Sequence, residues 1–111
     1  MFERGALVLV PYPFTDLSAR KRRPVLALTA PDSQGDFIGM PVTSRASQPS
    51  GLALDSRLRQ GALPKPSWVR TDRVVTLSAS LVIKSVGLAH ESLLAEAVSS
   101  LCHHLGMEKQ P

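Results

Sequence analysis

The chain has 111 residues and a mass of 12.0 kDa, enough for a single domain spanning residues 1–111 with one small core. Its mean hydropathy of +0.03 excludes a disordered chain, and its single cysteine excludes an internal disulfide and a cysteine-built zinc site. Thirteen basic against nine acidic residues give a net charge of +4, which is compatible with a polyanionic partner but does not require one. No apolar run is long enough to span a membrane and the N-terminus does not resemble a secretory signal, so we expect a cytoplasmic protein with no membrane partner.

The first half of the chain alternates short apolar runs with turn residues, which predicts short strands joined by polar loops. Pro11 is expected to end the first strand and Pro24 to begin the second, because proline cannot donate a hydrogen bond within a sheet. The segment 31–36 has the composition of a turn. The predicted strands are Ala6–Val10, Pro24–Thr29, Phe37–Thr43 and a short edge strand Leu52–Asp55, with polar loops over 14–23 and 44–51.

The second half contains two more predicted strands and a helix. Residues 63–67 include two prolines and are expected to be neither helix nor central strand. The predicted strands are Trp68–Val75 and Leu81–Ser85, the latter ended by Gly87. A helical stripe, which Gly106 would end, is formed by Leu94, Val98, Leu101 and Leu105. We therefore predict a mainly β (α+β) protein, with five or six strands in a small barrel or half-open sheet and one C-terminal helix.

Four consecutive cations, Arg20–Arg23, precede the second predicted strand. They fit a solvated loop end, and they also fit a phosphate-binding edge, because arginine can donate two parallel hydrogen bonds to phosphate oxygens. Arg23 is the strongest candidate of the four, since it abuts Pro24 and its backbone is held at the strand entrance.

Arg70 and Asp72 form a second candidate site. Alternation along the predicted strand places them on one face, roughly 6.5 to 7 Å apart, where they could flank a phosphodiester or form an ordinary surface salt bridge. Thr43 and Ser44 lie at the end of the third predicted strand, where their hydroxyls could bind a phosphate or simply cap the turn.

No pattern points to a metal or a cofactor. His90, His103 and His104 fit solvent-facing residues, and Cys102 fits a small half-buried hydrophobe. Adjacent histidines on a helix point in directions about 100° apart and do not form a chelate. We therefore expect neither a metal site nor a nucleotide cofactor.

Four sequence blocks follow one another along the chain, at Arg4–Leu17, Lys21–Leu26, Pro41–Ser44 and Pro66–Leu77, with a weaker fifth at Val86–Glu91. As an ordered set they make the chain resemble the MazF/PemK family, the toxic half of type II toxin–antitoxin pairs. The resemblance implies a small SH3-like barrel of the PemK/CcdB toxin type with a C-terminal helix, assembled as a homodimer.

The same resemblance implies the metal-independent, sequence-specific cleavage of single-stranded RNA, neutralised by a cognate antitoxin. The family's catalytic positions fall on Arg23, Thr43, Arg70 and Asp72 of this sequence. The residues expected to bind RNA beside them are Ser44 and the cations Arg20, Lys21, Arg22 and Arg45.

The chain departs from the family pattern in two places. Ala6 follows the first glycine, where the family often has an acid, and no histidine occurs between Pro11 and Arg23, where some members use one on RNA. The general base is therefore expected to be Asp72, with a pKa that its site raises. Arg70 is expected to stabilise charge on the leaving oxygen rather than to give up its proton, because arginine is a very weak acid.

The sequence is also compatible with a non-catalytic binding function. Toxins that poison DNA gyrase by binding share the barrel, so the fold alone does not separate a nuclease from a non-catalytic toxin or a nucleic-acid-binding module. The arginine–proline and Arg-Thr-Asp motifs favour the nuclease.

Overall fold

The computed structural model describes residues 2–12, 21–46 and 51–107. This part of the chain contains eight β-strands, a single-turn 3-10 helix at Ala79–Leu81 and one α-helix. The other elements are β1 Ala6–Tyr12, β2 Lys21–Ala27, β3 Asp36–Thr43, β4 Gly51–Ala53, β5 Leu58–Gly61, β6 Trp68–Arg70, β7 Val75–Ser78, β8 Lys84–Ala89 and α1 Glu91–His104. No helix in the described ranges is long and apolar enough to cross a membrane.

The strands form one antiparallel sheet that curls into a half-barrel. Neighbouring strands follow the order β4-β6-β3-β2-β1-β8-β5, and β7 pairs with β3 beside β6. The single helix α1 follows the last strand directly and packs on one face of the sheet. This confirms the predicted mainly β fold with a C-terminal helix.

Strand β3 changes its neighbour along one edge. Its first half pairs with β7, whereas its last two residues pair with β6. The Leu28 N–H donates to the Ile38 carbonyl, so the backbone groups of Ile38 point toward β2. Backbone direction alternates along a strand, so the backbone nitrogen of Pro41, three residues later, points toward the opposite edge. Pro41 therefore lies in the gap between β7 and β6, where a residue that has no N–H breaks no ladder.

Two apolar clusters pack on the two faces of the sheet. One lies beneath α1 and joins Leu93 and Leu94 of the helix to buried residues of β1, β2, β3 and β6. The other lies on the opposite face around Phe37, which is 1% exposed and meets the ring of Phe2 edge-on. The division follows from strand alternation, because successive side chains of a strand point to opposite faces.

The strand boundaries expected at Pro11 and Pro24 are wrong, because both prolines lie inside strands. β8 pairs with β1 only over Ala6–Leu9, so the nitrogen of Pro11 faces an edge that has no ladder there. The nitrogen of Pro24 faces β3, but the pairing of β2 with β3 begins only at the next residue, Val25. A missing N–H is harmless at such positions. The cations at 21–23 consequently belong to β2 and not to a polar loop.

Two expected boundaries in the second half are also wrong. The predicted strand Trp68–Val75 is broken by a turn in which the Arg73 N–H donates to the Arg70 carbonyl at 3.2 Å. The predicted strand Leu81–Ser85 is replaced by the 3-10 turn and β8, which continues through Gly87. β5 has no predicted counterpart, because it is short and lacks an apolar run, with Arg59 and Gln60 both exposed.

Three local predictions are confirmed. The turn at 31–36 is closed by Asp32, whose carboxylate accepts the Gln34 and Asp36 N–H groups at 2.9 and 3.0 Å. The edge strand β4 overlaps the predicted one, and α1 ends just before Gly106, which has a φ of +86°. Leu105 is the exception, because it is 75% exposed and lies outside the buried stripe of the helix.

We expect Gly39→Ala to destabilise the fold. A Cβ at this position would lie 2.5 Å from Cγ1 of Val25 and 2.9 Å from the carbonyl oxygen of Leu26. Overpacking of this kind lowers the free energy of unfolding by about 1–3 kcal/mol. Gly87→Ala is the matched control, because the nearest atom to its Cβ is 3.0 Å away and we expect a smaller loss. Urea unfolding of both variants measures the difference, and an equal loss would show that the close approach at Gly39 does not constrain the sheet.

Candidate functional site

A groove of about 420 Å³ opens where β3 changes its neighbour. Strand alternation places Arg23, Thr43 and Arg70 on the same face of the sheet, because Thr43 pairs with Trp68, two residues before Arg70. The lining residues are Tyr12, Lys21, Arg23, Pro41, Val42, Thr43, Arg45, Arg70, Arg73 and Val75. Five of these residues are cations and none is an acid, so the groove has the charge of an anion-binding site.

A larger concavity, of about 860 Å³, lies between β5, β8 and the N-terminal residues. Its charged residues are one acid, Glu3, and one base, Lys84. Size alone would favour it as a ligand site. We place the candidate site in the smaller groove, because only there do the predicted residues converge with a single sign of charge.

Tyr12 organises the cations at one end of the groove. It lies opposite Lys21 in the β1–β2 ladder, and its ring lies 5.6 Å from Nζ of Lys21. The guanidinium carbon of Arg23 lies 5.2 Å from the same ring. A cation over an aromatic face is stabilised by about 0.5–1 kcal/mol at exposed sites, so the ring restrains the side chain of Arg23.

Thr43 closes the end of β3. Its Oγ1 accepts the N–H of Arg45 at 3.1 Å, so the hydroxyl caps the turn that follows the strand. The turn brings Arg45 into the groove lining beside Thr43. A threonine hydroxyl that accepts one bond still has a proton to donate, so capping and anion binding are compatible at this residue.

Arg70 and Asp72 form a two-pronged ion pair. Nε of Arg70 lies 3.1 Å from Oδ1 of Asp72, and Nη2 lies 2.9 Å from Oδ2. The turn at 70–73 permits this geometry, because it folds the chain so that the two side chains meet directly. The structure therefore has the salt bridge in place of two separated groups that flank a ligand.

The ion pair sets the protonation of both partners. The hydrogen bond from Arg70 lowers the pKa of the Asp72 carboxyl below its ordinary value, and the same bond raises the pKa of the Arg70 guanidinium. The expectation that the site raises the pKa of Asp72 is wrong for the ligand-free protein, because the arginine contact outweighs desolvation. Asp72 is accordingly an anion at neutral pH.

The structure brings together most of the predicted site residues. Those that line the groove are Lys21, Arg23, Thr43, Arg45 and Arg70, and Asp72 reaches its rim through Arg70. Arg22 and Ser44 are exposed and are not among the lining residues. Alternation along β2 places Arg22 on the opposite face of the sheet from Arg23. Arg20 lies outside the described residues.

Among the lining residues that were not predicted, Tyr12 and Arg73 are the two with a polar or charged side chain. Extending the first strand through Pro11 would have placed Tyr12 beside Arg23, two residues past Val10. In the predicted continuous strand, alternation places Arg73 on the opposite face from Arg70, so the sequence does not indicate it as a site residue. The turn at 70–73 is what brings it to the groove. Within the residues that the structure describes, no three His, Cys, Asp or Glu side chains are grouped so as to hold a metal ion.

Comparisons with known proteins show a family and a fold that this chain shares. Residues 3–105 match the profile of a family described as PemK-like, MazF-like toxin of type II toxin–antitoxin system. The chain is similar to MazF in the MazE–MazF complex of Deinococcus radiodurans, with 27% identity over 96% of this chain and 97% of that one and a TM-score of 0.75. No curated protein sequence gives a significant match.

Two mycobacterial structures share the fold. The Mycobacterium tuberculosis toxin MazF-mt6 is 16% identical over 94% of this chain and 99% of that one, with a TM-score of 0.68. An endoribonuclease in complex with its cognate antitoxin from a mycobacterial species is 15% identical over 98% and 97% of the two chains, also with a TM-score of 0.68.

We expect the Asp72 carboxyl to titrate below the ordinary aspartate value of about 4, and Arg70→Gln to raise its pKa. Since the folded pKa is the lower one, the pair stabilises the fold above pH 4 or so, and this contribution is lost as the pH falls through the folded pKa. Carbon-detected NMR titration of the carboxyl measures the shift. Arg59→Gln, on exposed β5, is the matched control. An Asp72 pKa that stays unchanged in Arg70→Gln would contradict the ion pair.

Proposed function

The chain belongs to the PemK-like, MazF-like toxin family of type II toxin–antitoxin systems, and from that premise we propose that it is a sequence-specific endoribonuclease. The substrate is single-stranded RNA, cleaved without a metal ion through attack of the ribose 2′-hydroxyl. We place this activity in the groove at the end of β3.

The observation that carries the proposal is the charge of this groove. Five cations line it, and the carboxylate of Asp72 beside it is ion-paired with Arg70. A phosphodiester backbone supplies the complementary negative charge, and arginine can bind two of its oxygens at once. RNA also brings its own nucleophile next to each phosphate, so the protein needs only to activate that hydroxyl and stabilise the charge that develops.

In this mechanism the substrate competes for Arg70. The scissile phosphate draws the guanidinium away from Asp72, and the carboxylate then loses the contact that lowers its pKa. A carboxylate freed in this way is a stronger base and takes the proton of the 2′-hydroxyl. The 2′-oxygen bonds to phosphorus as the bond to the 5′-oxygen breaks, which gives a 2′,3′-cyclic phosphate and a 5′-hydroxyl end. Arg70 stabilises the departing oxygen by charge and hydrogen bonding, and that oxygen takes its proton from solvent water to become the hydroxyl.

The other groove residues bind and orient the phosphate. Arg23, held against Tyr12, is proposed to clamp the non-bridging oxygens, and the Thr43 hydroxyl to orient them. The cations Lys21 and Arg45 extend the positive surface on either side. Ser44 and Arg22, which are not among the lining residues of the groove, are proposed to bind neighbouring nucleotides, and Arg20 is proposed as a further RNA contact.

We further propose a cognate antitoxin as the physiological inhibitor and a homodimer as the functional assembly, in the cytoplasm. The similar Deinococcus toxin is found with its MazE partner, which supports an antitoxin for this chain. An acidic antitoxin segment would suit the same cations that bind RNA, and exposed apolar side chains such as Tyr12, 43% exposed, offer anchors that salt does not weaken. Inhibition would then be competitive with RNA.

We expect the purified protein to cleave single-stranded RNA in EDTA and to leave 2′,3′-cyclic phosphate ends. A substrate with a single 2′-deoxy sugar at the cut site should remain intact, because it lacks the nucleophile. Mapping of the end groups by mass spectrometry checks both results. Cleavage of the deoxy substrate at the same bond would contradict 2′-hydroxyl attack, and a requirement for added metal would contradict the metal-free route. Tight RNA binding with no cleavage would indicate a non-catalytic toxin instead.

We expect Arg23→Ala and Asp72→Asn each to lower the cleavage rate by about 10²-fold or more, the range for positioned catalytic groups. Arg22→Ala is the sharpest comparison, because it removes the same charge one residue away but on the other face of β2, and its effect should be much smaller. Arg59→Ala, on β5, controls for net charge. Equal losses in Arg22→Ala and Arg23→Ala, with unchanged circular dichroism, would place the site elsewhere.

A further inference from the structure

Thr71 lies between Arg70, which lines the groove, and Asp72, which lies at its rim. Thr71 as a residue is 1% exposed, whereas the side chains of Arg70 and Asp72 are 18% and 31% exposed. The turn thus directs its charged residues toward the groove and solvent and its one buried residue into the protein.

The Thr71 hydroxyl contacts the last turns of α1. Its Oγ1 lies 2.8 Å from Oγ of Ser100 and 3.4 Å from Nε2 of His104. These partners are 29 and 33 residues away in sequence, so the contact is tertiary. The helix is itself fixed to the sheet by its buried apolar face. No sequence pattern singles out Ser100, and His104 was expected only to face solvent.

The hydrogen-bonded hydroxyls of Thr71 and Ser100 fix a relative orientation, which apolar packing alone does not. A buried hydroxyl is unfavourable unless it is bonded, so Thr71 and Ser100 are held in one relative orientation. The turn has exposed residues at 72–74, and its closing backbone bond is 3.2 Å, at the long end of the normal range. The hydroxyl pair therefore ties an otherwise exposed turn to the interior.

We propose that Thr71 is a positioning residue, whose hydroxyl, bonded to Ser100, holds Arg70 and Asp72 in the orientation that the reaction requires. This rests on the proposed nuclease function. Rotation of Thr71 about the turn would move both neighbours at once, because they are joined to it by single peptide units. Displacements of about 1 Å at a catalytic group can lower rates by about 10²-fold. The anchor acts on geometry and leaves the charge of the groove unchanged.

The kinetic test compares Thr71→Val with Thr71→Ser on a fluorogenic RNA oligonucleotide. Thr71→Val keeps the shape and loses the hydroxyl, and we expect kcat to fall by about 10-fold or more with KM changed less than about 2-fold. Thr71→Ser restores the hydroxyl and should recover most of kcat. Ser100→Ala should reproduce the loss, and the double variant should be no worse than either single one. Thr76→Val, an exposed threonine on β7, is the matched control.

A role in stability alone predicts a different result. It would lower the melting temperature of Thr71→Val without changing kcat well below that temperature, and this outcome would overturn the proposal. An equal loss of kcat in Thr71→Ser would also overturn it, since the hydroxyl would then not be the active feature.

A second measurement keeps the inference testable if the protein does not cleave RNA. NMR titration of the Asp72 carboxyl reports the Arg70–Asp72 geometry without any substrate. In Thr71→Val we expect the pKa of Asp72 to rise toward its ordinary value, because the ion pair loses its fixed orientation. An unchanged titration would overturn the positioning role. Inactive wild-type protein with a shifted Asp72 titration in Thr71→Val would refute the proposed function alone.

Discussion

The change of neighbour along one edge of β3 is the constraint on which the candidate site depends. One strand cannot pair with both β6 and β7 over the same residues, so the two must take successive halves of its edge, and the chain between them must turn at the junction. That turn carries Arg70 and Asp72 to the end of β3, where Thr43 closes the strand. Pro41 marks the junction, because its backbone has nothing to donate to either neighbour. The site is thus a consequence of how the sheet curls.

The groove collects cations that repel one another in the free protein. The Arg70–Asp72 pair and the ring of Tyr12 each offset part of that repulsion, and each involves a residue that the proposed reaction uses. In the proposed reaction a bound polyanion would replace these internal contacts with charge-assisted hydrogen bonds to its phosphates. The two contacts restrain the cationic side chains of the ligand-free groove, and under the proposed function they would break when RNA binds and re-form when the product leaves.

The sequence predicted the features that depend on residues close to one another in the chain. The helical stripe and its end at Gly106, the Asp32 turn and the general strand pattern were all predictable, because each depends on neighbours in the chain. The strand boundaries at Pro11 and Pro24 were not, because a proline ends a strand only where an adjacent strand needs its N–H. Several groove residues could be named from the sequence, because arginine and threonine are typical phosphate-binding residues. The lowered pKa of Asp72 could not be predicted, because it depends on the contact with Arg70, and that contact requires a turn that the pairing of the sheet produces.

The position of Pro24 has a consequence for the fidelity of folding. Arg22 and Arg23 are chemically identical, and a slip of β2 by one residue would exchange them between the two faces of the sheet. In the observed register Arg23 pairs with Val10, and Val25 pairs with Val8. The backbone groups of Arg23 and Val25 point toward β1, whereas the nitrogen of Pro24 between them points away from it. A slip would put the proline where β1 requires a donor and would remove a ladder bond worth about 1 kcal/mol. A residue with no functional group of its own thus selects which of two equal arginines enters the groove.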